Sequence, residues 1–351
     1  MSTIADLEKV VRDALDKIEH PALKETLLDL GMFDRIEEDA EAFTVHLKSP
    51  DNDRKAQISL EAQLRGFLTK ASPGKRVKIR FTFDESMKLE EQGNRIRGVK
   101  NVIAIGSGKG GVGKSTVSAN IAAALHLKGL KVGLLDADIY GPSIGKMFGV
   151  PGKLALQGDG KNKIIPFESN GIKIISFAFM LAPEQAVVWR GPMLGKAVEQ
   201  FLYEVIWGEL DVLLIDLPPG TGDVQLSLAQ LVDLDGAVIV TTPQNVALQD
   251  AARAASMFQQ VKIPILGVIE NMSEFQCPKC GHVTNIFSKN GGTAMSAKLS
   301  VPELGSIPLQ KEIMDSGEDG LPITLKDPDG LVAGAYKKIA DKILVEVEKF
   351  K

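Results

Sequence analysis

The residues with the clearest chemical potential form a glycine-rich run, GKGGVGKST, at Gly108–Thr116. The run fits the spacing G-x-x-x-x-G-K-[ST], with a lysine at Lys114 and a hydroxyl at Ser115. Its glycines let backbone N–H groups approach phosphate oxygens without a side-chain clash, and a following helix N-terminus adds partial positive charge. Lys114 is placed to reach the β- and γ-phosphates, and Ser115 Oγ is placed to ligate Mg²⁺. We therefore interpret the run as an ATP-binding loop.

Every residue of this loop is a candidate contact to the nucleotide. The set is Gly108, Lys109, Gly110, Gly111, Val112, Gly113, Lys114, Ser115 and Thr116.

Carboxylates follow two short apolar runs. Asp216 comes directly after Val212–Ile215, a pattern that predicts a Mg²⁺ carboxylate acting through water, since Mg²⁺ keeps several waters. Asp136 and Asp138 come just after Val132–Leu135, and ligand-contacting groups of open α/β sheets lie beyond the carboxyl ends of strands. We expect Asp136 to support Mg²⁺ indirectly. Either aspartate could instead cap a helix.

Two further positions are weaker candidates. Gly220, after a pair of prolines, offers a backbone N–H that could sense a γ-phosphate as switch loops do, whereas nearby Asp223 could equally be a helix N-cap. Asn271 follows the apolar run Ile265–Ile269, and its amide offers both a donor and an acceptor for the edge of adenine. A plain turn asparagine is the alternative.

Both cysteines of the chain lie in one short motif, Cys277-Pro278-Lys279-Cys280-Gly281-His282. A thioredoxin-like redox pair would open a helix after an early βαβ strand, which this motif does not. A structural zinc site within one chain lacks a second C-x-x-C, and His282 adds only one ligand. Half of a site shared across a two-fold axis gives four thiolates for zinc or a [4Fe–4S] cluster. The spacing does not separate these two.

The elements that must position these residues alternate between strand and helix from Val99 onward. Each strand candidate is continuously apolar, as expected of parallel strands covered on both faces. The pattern predicts an α/β fold for residues 99–351, a doubly wound, mostly parallel sheet. Its predicted helix after the loop spans Thr116–Lys128, and its predicted strands are Val102–Ile105, Val132–Leu135, Val212–Ile215, Ala237–Val240 and Ile265–Ile269.

The first 90 residues differ and predict a small α+β domain. Apolar spacing indicates helices near Leu7–Ile18, Leu23–Leu30 and Ala56–Leu68, the second closed by a glycine. Alternation indicates strands at Phe43–Leu47 and Val77–Phe83. The polar stretch 91–98 is interpreted as a linker.

Composition excludes several classes of protein. The 351 residues carry a net charge of -4, which argues against a chain that coats nucleic acid, and two cysteines exclude a disulfide-stapled scaffold. The N-terminal residues contain no apolar block typical of a signal peptide, and no run approaches the ~18 apolar residues of a membrane span. A cytoplasmic location is expected.

The motifs together resemble the Mrp/ApbC family of P-loop ATPases that carry iron–sulfur clusters, across about residues 95–345. The second lysine of the loop, Lys109, is similar to that of the deviant Walker A class. The other matching motifs are Asp136–Ser143, Trp189–Met193, Asp216–Asp223, Glu270–Ser273, Cys277–Gly281, Gly291-Gly292 and Leu304–Leu309.

The resemblance implies a homodimer with weak ATPase activity. Lys109 would cross to the partner's nucleotide as a charge-stabilising cation, Asp138 would orient the attacking water, and Asn271 would hold adenine. With Lys114, Lys109 and Asp138 form the implied catalytic set. Cys277 and Cys280 of both subunits would hold one bridging [4Fe–4S] cluster. The implied partners are cluster scaffold or donor proteins and recipient apoproteins.

The N-terminal domain is similar to the SufT-like α+β domain that is often fused to this family. Standalone versions of that domain often have an acidic residue immediately before a proline and sometimes a reactive cysteine. This chain instead has Glu19-His20-Pro21, with a histidine before the proline, and no cysteine precedes Cys277. The domain is therefore not expected to ligate a cluster.

The main rival is a partition- or septum-type dimeric ATPase that acts on DNA or membrane and holds a structural zinc at the C-x-x-C. The C-terminal segment carries an apolar stripe with interspersed lysines, but Asp341, Glu346 and Glu348 dilute its charge. Ordinary packing of this helix is favoured, with neither nucleic acid nor membrane as a partner. A P-loop kinase or ligase gives no reason for the two cysteines.

Overall fold

The computed structural model describes residues 4–21, 26–38, 42–49, 54–71, 76–84, 94–139, 141–150, 163–179, 191–220 and 222–351. The chain divides into two compact units, Met1–Gln92 and Gly93–Lys351.

The N-terminal unit packs two helices on a three-stranded sheet. Its elements are α1 (Ile4–Leu15), β1 (Phe33–Glu38), β2 (Ala42–Ser49), α2 (Arg54–Ala71) and β3 (Arg76–Phe83). The sheet order is β1-β2-β3, with β1 antiparallel and β3 parallel to β2. Leu60, Leu64 and Leu68 recur every four residues of α2, so they share one helix face and pack against Val45 and Leu47 of β2.

Two local features of this unit differ from the sequence prediction. The second helix expected at Leu23–Leu30 is wrong for residues 26–30, because Thr26 forms an antiparallel bridge with Glu19 and residues 27–30 form turns; residues 22–25 lie outside the described part. Leu27 N donates to Ile18 O at 2.9 Å, and Gly31 ends the turn with φ 65°. Strand β1 was not predicted, because four of its six residues are charged and it pairs with β2 at the rim of the sheet.

The second unit contains a nine-stranded sheet among the described residues. Its strands are β4 (Val102–Gly106), β5 (Val132–Asp136), β6 (Phe167–Ser169), β7 (Ile172–Ser176), β8 (Val212–Asp216), β9 (Gly236–Thr241), β10 (Ile265–Gln276), β11 (Val283–Thr284) and β12 (Glu303–Leu309). The order is β11-β10-β9-β4-β8-β5-β7-β6, with β12 also parallel to β10. Among the described strands of this sheet, only the β6–β7 and β10–β11 pairs are antiparallel.

Helices cover both faces of this sheet. They are α3 (Lys114–Leu127), α4 (Ile144–Met147), α5 (Gly191–Tyr203), α6 (Asp223–Leu231), α7 (Asn245–Gln260), α8 (Gly291–Leu299), α9 (Lys311–Glu318), α10 (Ile323–Lys326) and α11 (Leu331–Glu348). Ala104 of β4 joins the core that contains Phe258 of α7, whereas Ile103 joins the core that contains Ile121 of α3 and Ile339 of α11. Alternate residues of one strand therefore enter two cores, which confirms the doubly wound α/β prediction.

The described part of the predicted linker packs on the second unit. Asn94 Nδ2 donates to Gln230 O at 2.9 Å, Asp233 N donates to Asn94 O at 2.9 Å, and Ile96 is buried. Residues 91–93 lie outside the described part. In the portions of the chain that the structure describes, none of the helices combines the length and apolar character needed to span a bilayer.

Candidate nucleotide and thiolate sites

The glycine-rich loop connects the end of β4 to the start of α3. Gly113 precedes the helix with φ 79° and ψ 23°, a left-handed conformation that favours glycine. A Cβ on Gly113 would lie 2.3 Å from Asn271 Nδ2, and a Cβ on Gly108 would lie 2.0 Å from the backbone carbon of Asp250. These glycines are therefore required by close approach of neighbouring groups as well as by the turn.

Lys114, Ser115 and Asp216 converge at this junction. Lys114 Nζ donates to Asp216 Oδ2 at 2.7 Å, and Ser115 Oγ donates to the same oxygen at 2.6 Å. The Lys114 and Asp216 side chains are 5% and 0% exposed. Ser115 Oγ and Asp216 Oδ2 thus offer adjacent oxygen donors, the ligand type that Mg²⁺ prefers.

Sequence reasoning missed one member of this cluster. Ser118 Oγ donates to Asp216 Oδ1 at 2.6 Å and is fully buried. Ser118 lies four residues after Lys114 on α3, so the two residues share a helix face. The four-residue spacing from Lys114 is the sequence feature from which Ser118 could have been predicted.

Asp136 lies opposite Asp216 in the β5–β8 register and anchors the start of α4. Its Oδ2 accepts from Ser143 N and Ile144 N at 3.1 Å each and from Ser176 Oγ at 2.9 Å. Burial, followed by the nearby negative charge of Asp216, raises the pKa of Asp136 to about 7. The described contacts match the helix-capping alternative for Asp136.

Asp138 lies at the same edge of the sheet and is 8% exposed. Its Oδ1 accepts from Gly141 N at 3.2 Å, and its own N–H donates to Asp136 Oδ1 at 3.2 Å. Asp138 is thus held in a turn directly beyond β5.

Gly220 lies against the glycine-rich loop with φ 104°. Its N–H donates to Ser107 O at 3.0 Å, so this donor is engaged within the protein rather than free for a phosphate. Residues 217–220 are called the switch segment below, and Gln225 Nε2 donates to Pro218 O within it. Helix α6 begins at Asp223, and its N-cap is Gly222.

Lys109 is directed toward its own chain. Its Nζ lies 3.4 Å from Gln244 Oε1, at the residue that precedes α7. The lysine is half-buried there. For Lys109 to reach the nucleotide of another subunit, its contact with Gln244 would first have to break.

Asn271 is buried and holds the glycine-rich loop. Its Nδ2 donates to Val112 O at 2.8 Å. The neighbouring Glu270 carboxylate accepts from Gly292 N at the start of α8, and burial is the main cause that raises the pKa of Glu270. In this structure one amide donor of Asn271 is therefore committed to the loop.

The two cysteines lie in the hairpin between β10 and β11. Gly281 N donates to Cys277 O at 2.8 Å, and Cys277 N donates to His282 O at 2.9 Å. Backbone N–H groups of Cys280 and Lys279 are the leading causes that lower the pKa of Cys277, because they stabilise its thiolate. This is the geometry expected of one half of a metal-binding knuckle.

Within one chain the thiols lack further ligands among the described residues. Cys277 is half-buried and Cys280 is exposed, and neither forms a disulfide. No group of three or more His, Cys, Asp and Glu side chains suited to a metal occurs in the described ranges, so His282 does not complete a site here. Additional ligands would therefore have to come from outside the described residues of this chain.

An apolar surface accompanies the exposed thiol. Val283, Ile286 and Phe287 follow the hairpin and are 45%, 52% and 37% exposed. Three large apolar side chains close together in sequence beside a metal-type turn are typical of a surface that becomes covered.

Comparison with known proteins agrees with this geometry. A ParA family model described as NUBPL iron-transfer P-loop NTPase matches residues 98–344. The chain belongs to this family. The match covers the whole nucleotide site and the cysteine hairpin, and it confirms the predicted resemblance to P-loop ATPases that carry iron–sulfur clusters.

Relatives of the family extend the comparison to both units. An iron–sulfur cluster carrier protein of Deinococcus radiodurans is 45% identical over 93% of this chain and 92% of its own length. One from Escherichia coli K12 is 37% identical over 97% of this chain and 92% of its own. A solved nucleotide-binding protein of Archaeoglobus fulgidus in complex with ADP has a TM-score of 0.59 and 37% identity, covering 69% of this chain and 93% of that chain.

The structure is also similar to that of a cell division ATPase, and this similarity supports the fold alone. The Pyrococcus furiosus MinD structure has a TM-score of 0.54 and 23% identity, covering 70% of this chain and 98% of that chain. It confirms the predicted P-loop NTPase architecture for the second unit.

Proposed function

We propose that this protein is an ATP-hydrolysing carrier that holds a [4Fe–4S] cluster between two copies of the chain and transfers it to apoproteins. The observation that carries the proposal is the hairpin with Cys277 and Cys280. It turns backbone N–H groups toward one sulfur, exposes the other, and has no further ligands among the described residues of its own chain. Two such hairpins supply the four thiolates that a cluster needs.

Burial of the exposed apolar side chains would favour association of the cysteine hairpins of two copies of the chain. Val283, Ile286 and Phe287 are exposed in one chain and follow the two cysteines closely in the sequence. Pairing of two chains at this surface would remove these side chains from water while bringing the four cysteines together. The relatives' description as cluster carriers supports the carrier role.

The nucleotide site would supply a second contact between the two copies. We assign phosphate binding to the loop Gly108–Thr116, Mg²⁺ binding to Ser115 and Asp216, and orientation of the attacking water to Asp138. Bound Mg²⁺ would neutralise phosphate charge. Lys114 would neutralise charge on the β- and γ-phosphates, and Lys109 of one copy would do so on the nucleotide of the other.

Nucleotide state would then influence the cluster through the dimer. On nucleotide binding the Gly220 N–H would leave Ser107 O, its acceptor in this structure, to contact a γ-phosphate, and this would shift the switch segment. Because both the nucleotides and the thiolates lie between the same two chains, ATP and cluster would bias each other's binding. Asn271 is assigned to the nucleotide-base end of the site, where it also holds Val112 O.

The partition- or septum-type alternative is not favoured. Relatives that match nearly the whole chain are described as iron–sulfur cluster carriers, whereas the likeness to MinD concerns the fold alone. A structural zinc at the hairpins would explain the thiolates but not transfer of iron.

Transfer of the cluster tests the proposal. The anaerobically reconstituted full chain is incubated with a purified apo form of a [4Fe–4S] enzyme in the presence of a chelator that traps free iron. We expect recovery of that enzyme's activity. Recovery that depends only on free iron and sulfide, and not on the loaded chain, would contradict the carrier role.

The position of Lys109 yields a separate prediction. Gln244→Glu turns the neutral contact at 3.4 Å into an ion pair that holds Lys109 in its own chain. Exposed or partly exposed ion pairs contribute about 0.2–1 kcal/mol, so we expect kcat for ATP hydrolysis to fall about 1.4- to 5-fold with KM little changed. Steady-state kinetics measures both constants.

Gln259→Glu is the matched control for this charge change. Gln259 is exposed near the other end of α7, and its replacement adds the same charge away from the loop. Equal kinetics for Gln244→Glu and the wild type would show that the contact does not compete with the catalytic position of Lys109.

A further inference from the structure

The N-terminal unit carries an uncompensated row of cations along β3. Arg76, Lys78 and Arg80 alternate with Val77 and Ile79, so the three cations lie on the face opposite the core. Arg76, Lys78 and Arg80 are called the β3 strip below. The strip has no hydrogen bond or ion pair to any residue that the structure describes.

The other cations of the same sheet are paired. On β1, Arg35 contacts Asp34 at 2.7 Å and Glu37 at 3.1 Å. On β2, Lys48 contacts Asp84 at 2.8 Å, and the carboxylate raises the pKa of the lysine. Only on β3, among the described residues of the sheet, do three successive outward cations stand without a carboxylate.

The strip also lies on a strand that can accept another strand. The order β1-β2-β3 leaves β3 at the edge, with no described strand on its outer side. The backbone groups of an edge strand are a template for pairing with an added extended segment. Side chains two residues apart in a strand are about 6.6–6.8 Å apart, so alternate residues of an added strand match the strip one to one.

The positive charge of the β3 strip indicates which kind of extended segment would bind at this edge. Residues 1–92 contain 19 Asp and Glu and 15 Lys and Arg, so the unit as a whole does not attract polyanions. The strip is a local exception, and carboxylates opposite cations on neighbouring strands are stabilising. We propose that the outer edge of β3 docks an extended acidic segment of a partner protein, with carboxylates at alternate positions.

This docking surface depends on the N-terminal unit alone and not on the cluster or the nucleotide. It gives that unit, which lacks cysteines, a role in holding a protein partner while the other unit acts. Failure of the docking proposal would leave the carrier proposal intact, and the reverse also holds.

Fluorescence anisotropy of the full chain with a labelled peptide of four Glu-Thr repeats tests the surface, at low and at physiological ionic strength. We expect saturable binding that weakens with salt and falls about tenfold or more in the triple variant Arg76→Glu/Lys78→Glu/Arg80→Glu. A peptide with the same residues in two blocks, four Glu then four Thr, should bind more weakly, because its carboxylates do not alternate.

Lys9→Glu/Lys17→Glu/Arg54→Glu is the matched control. These cations are exposed on or next to α1 and α2, and the variant makes the same change in charge. We expect it to bind like the wild type. If the triple β3 variant fails to fold, Lys78→Glu alone should still weaken binding, because it lies at the centre of the strip.

Three results would overturn the proposal. One is no saturable peptide binding by the wild type at low ionic strength. Another is equal loss of binding in the β3 and control variants. The third is tighter binding of an oligothymidylate than of the peptide, lost in the β3 variant, which would assign the strip to nucleic acid.

Discussion

ATP hydrolysis is expected to fall at least about a hundredfold when Lys114 is replaced by alanine, the scale on which loss of one charge-stabilising donor slows an enzyme. Lys114 begins α3 at the loop, and its Nζ lies 2.7 Å from Asp216 Oδ2. Without it, charge that develops on the transferred phosphoryl group would lack its principal cation in the same chain. Steady-state hydrolysis at saturating ATP measures the effect.

The same change should also affect folding. Lys114→Ala leaves Asp216 buried without its cation, and breaking a buried pair in this way costs about 3–5 kcal/mol. Adding Asp216→Asn removes the unpaired charge, so the free energy of unfolding should recover in part. Because Asp216 is itself assigned to Mg²⁺, the double variant tests stability only. Wild-type hydrolysis by the folded Lys114→Ala variant would mean that Lys114 acts only on the fold.

Replacing either cysteine with serine is expected to reduce cluster content to background. A serine hydroxyl is a poor substitute for a thiolate, and removing one residue takes two of the four ligands from a dimer. Because Cys280 is exposed and neither thiol forms a disulfide, Cys280→Ser should shift the free energy of unfolding by no more than about 0.5 kcal/mol. Iron and sulfide analysis, with thermal unfolding alongside, measures both expectations.

Lys279→Ser controls for disturbance of the turn itself. Lys279 is exposed between the cysteines, and the substitution retains both thiols and the backbone N–H that stabilises the Cys277 thiolate. It should retain the cluster. Undiminished iron and sulfide in both cysteine variants would show that the metal is held elsewhere.

The parts of the molecule that sequence predicts best are those with short-range causes. The loop before α3 needs glycines for its turn, and the strand ending at Asp216 is buried on both faces, so spacing and apolarity alone locate them. The order of motifs along the chain then identifies the sheet type. The turn around Gly281 is likewise a local requirement, with φ 70°.

The contacts that sequence did not predict join residues far apart in the chain. Gln244 meets Lys109 across 135 positions, and Asn271 meets Val112 across 159, because parallel strands bring distant loops to one edge of the sheet. Strand β1 has no alternating apolar pattern and exists because β2 offers it a pairing edge.

The central claim is that two chains share one iron–sulfur cluster, and metal analysis of the anaerobically reconstituted full chain tests it most directly. Iron, acid-labile sulfide and zinc are measured per chain together with the absorption spectrum and the mass in solution. We expect a brown dimer with about two iron and two sulfide per chain, as one [4Fe–4S] cluster per dimer requires. A colourless dimer with one zinc and no sulfide would contradict the claim.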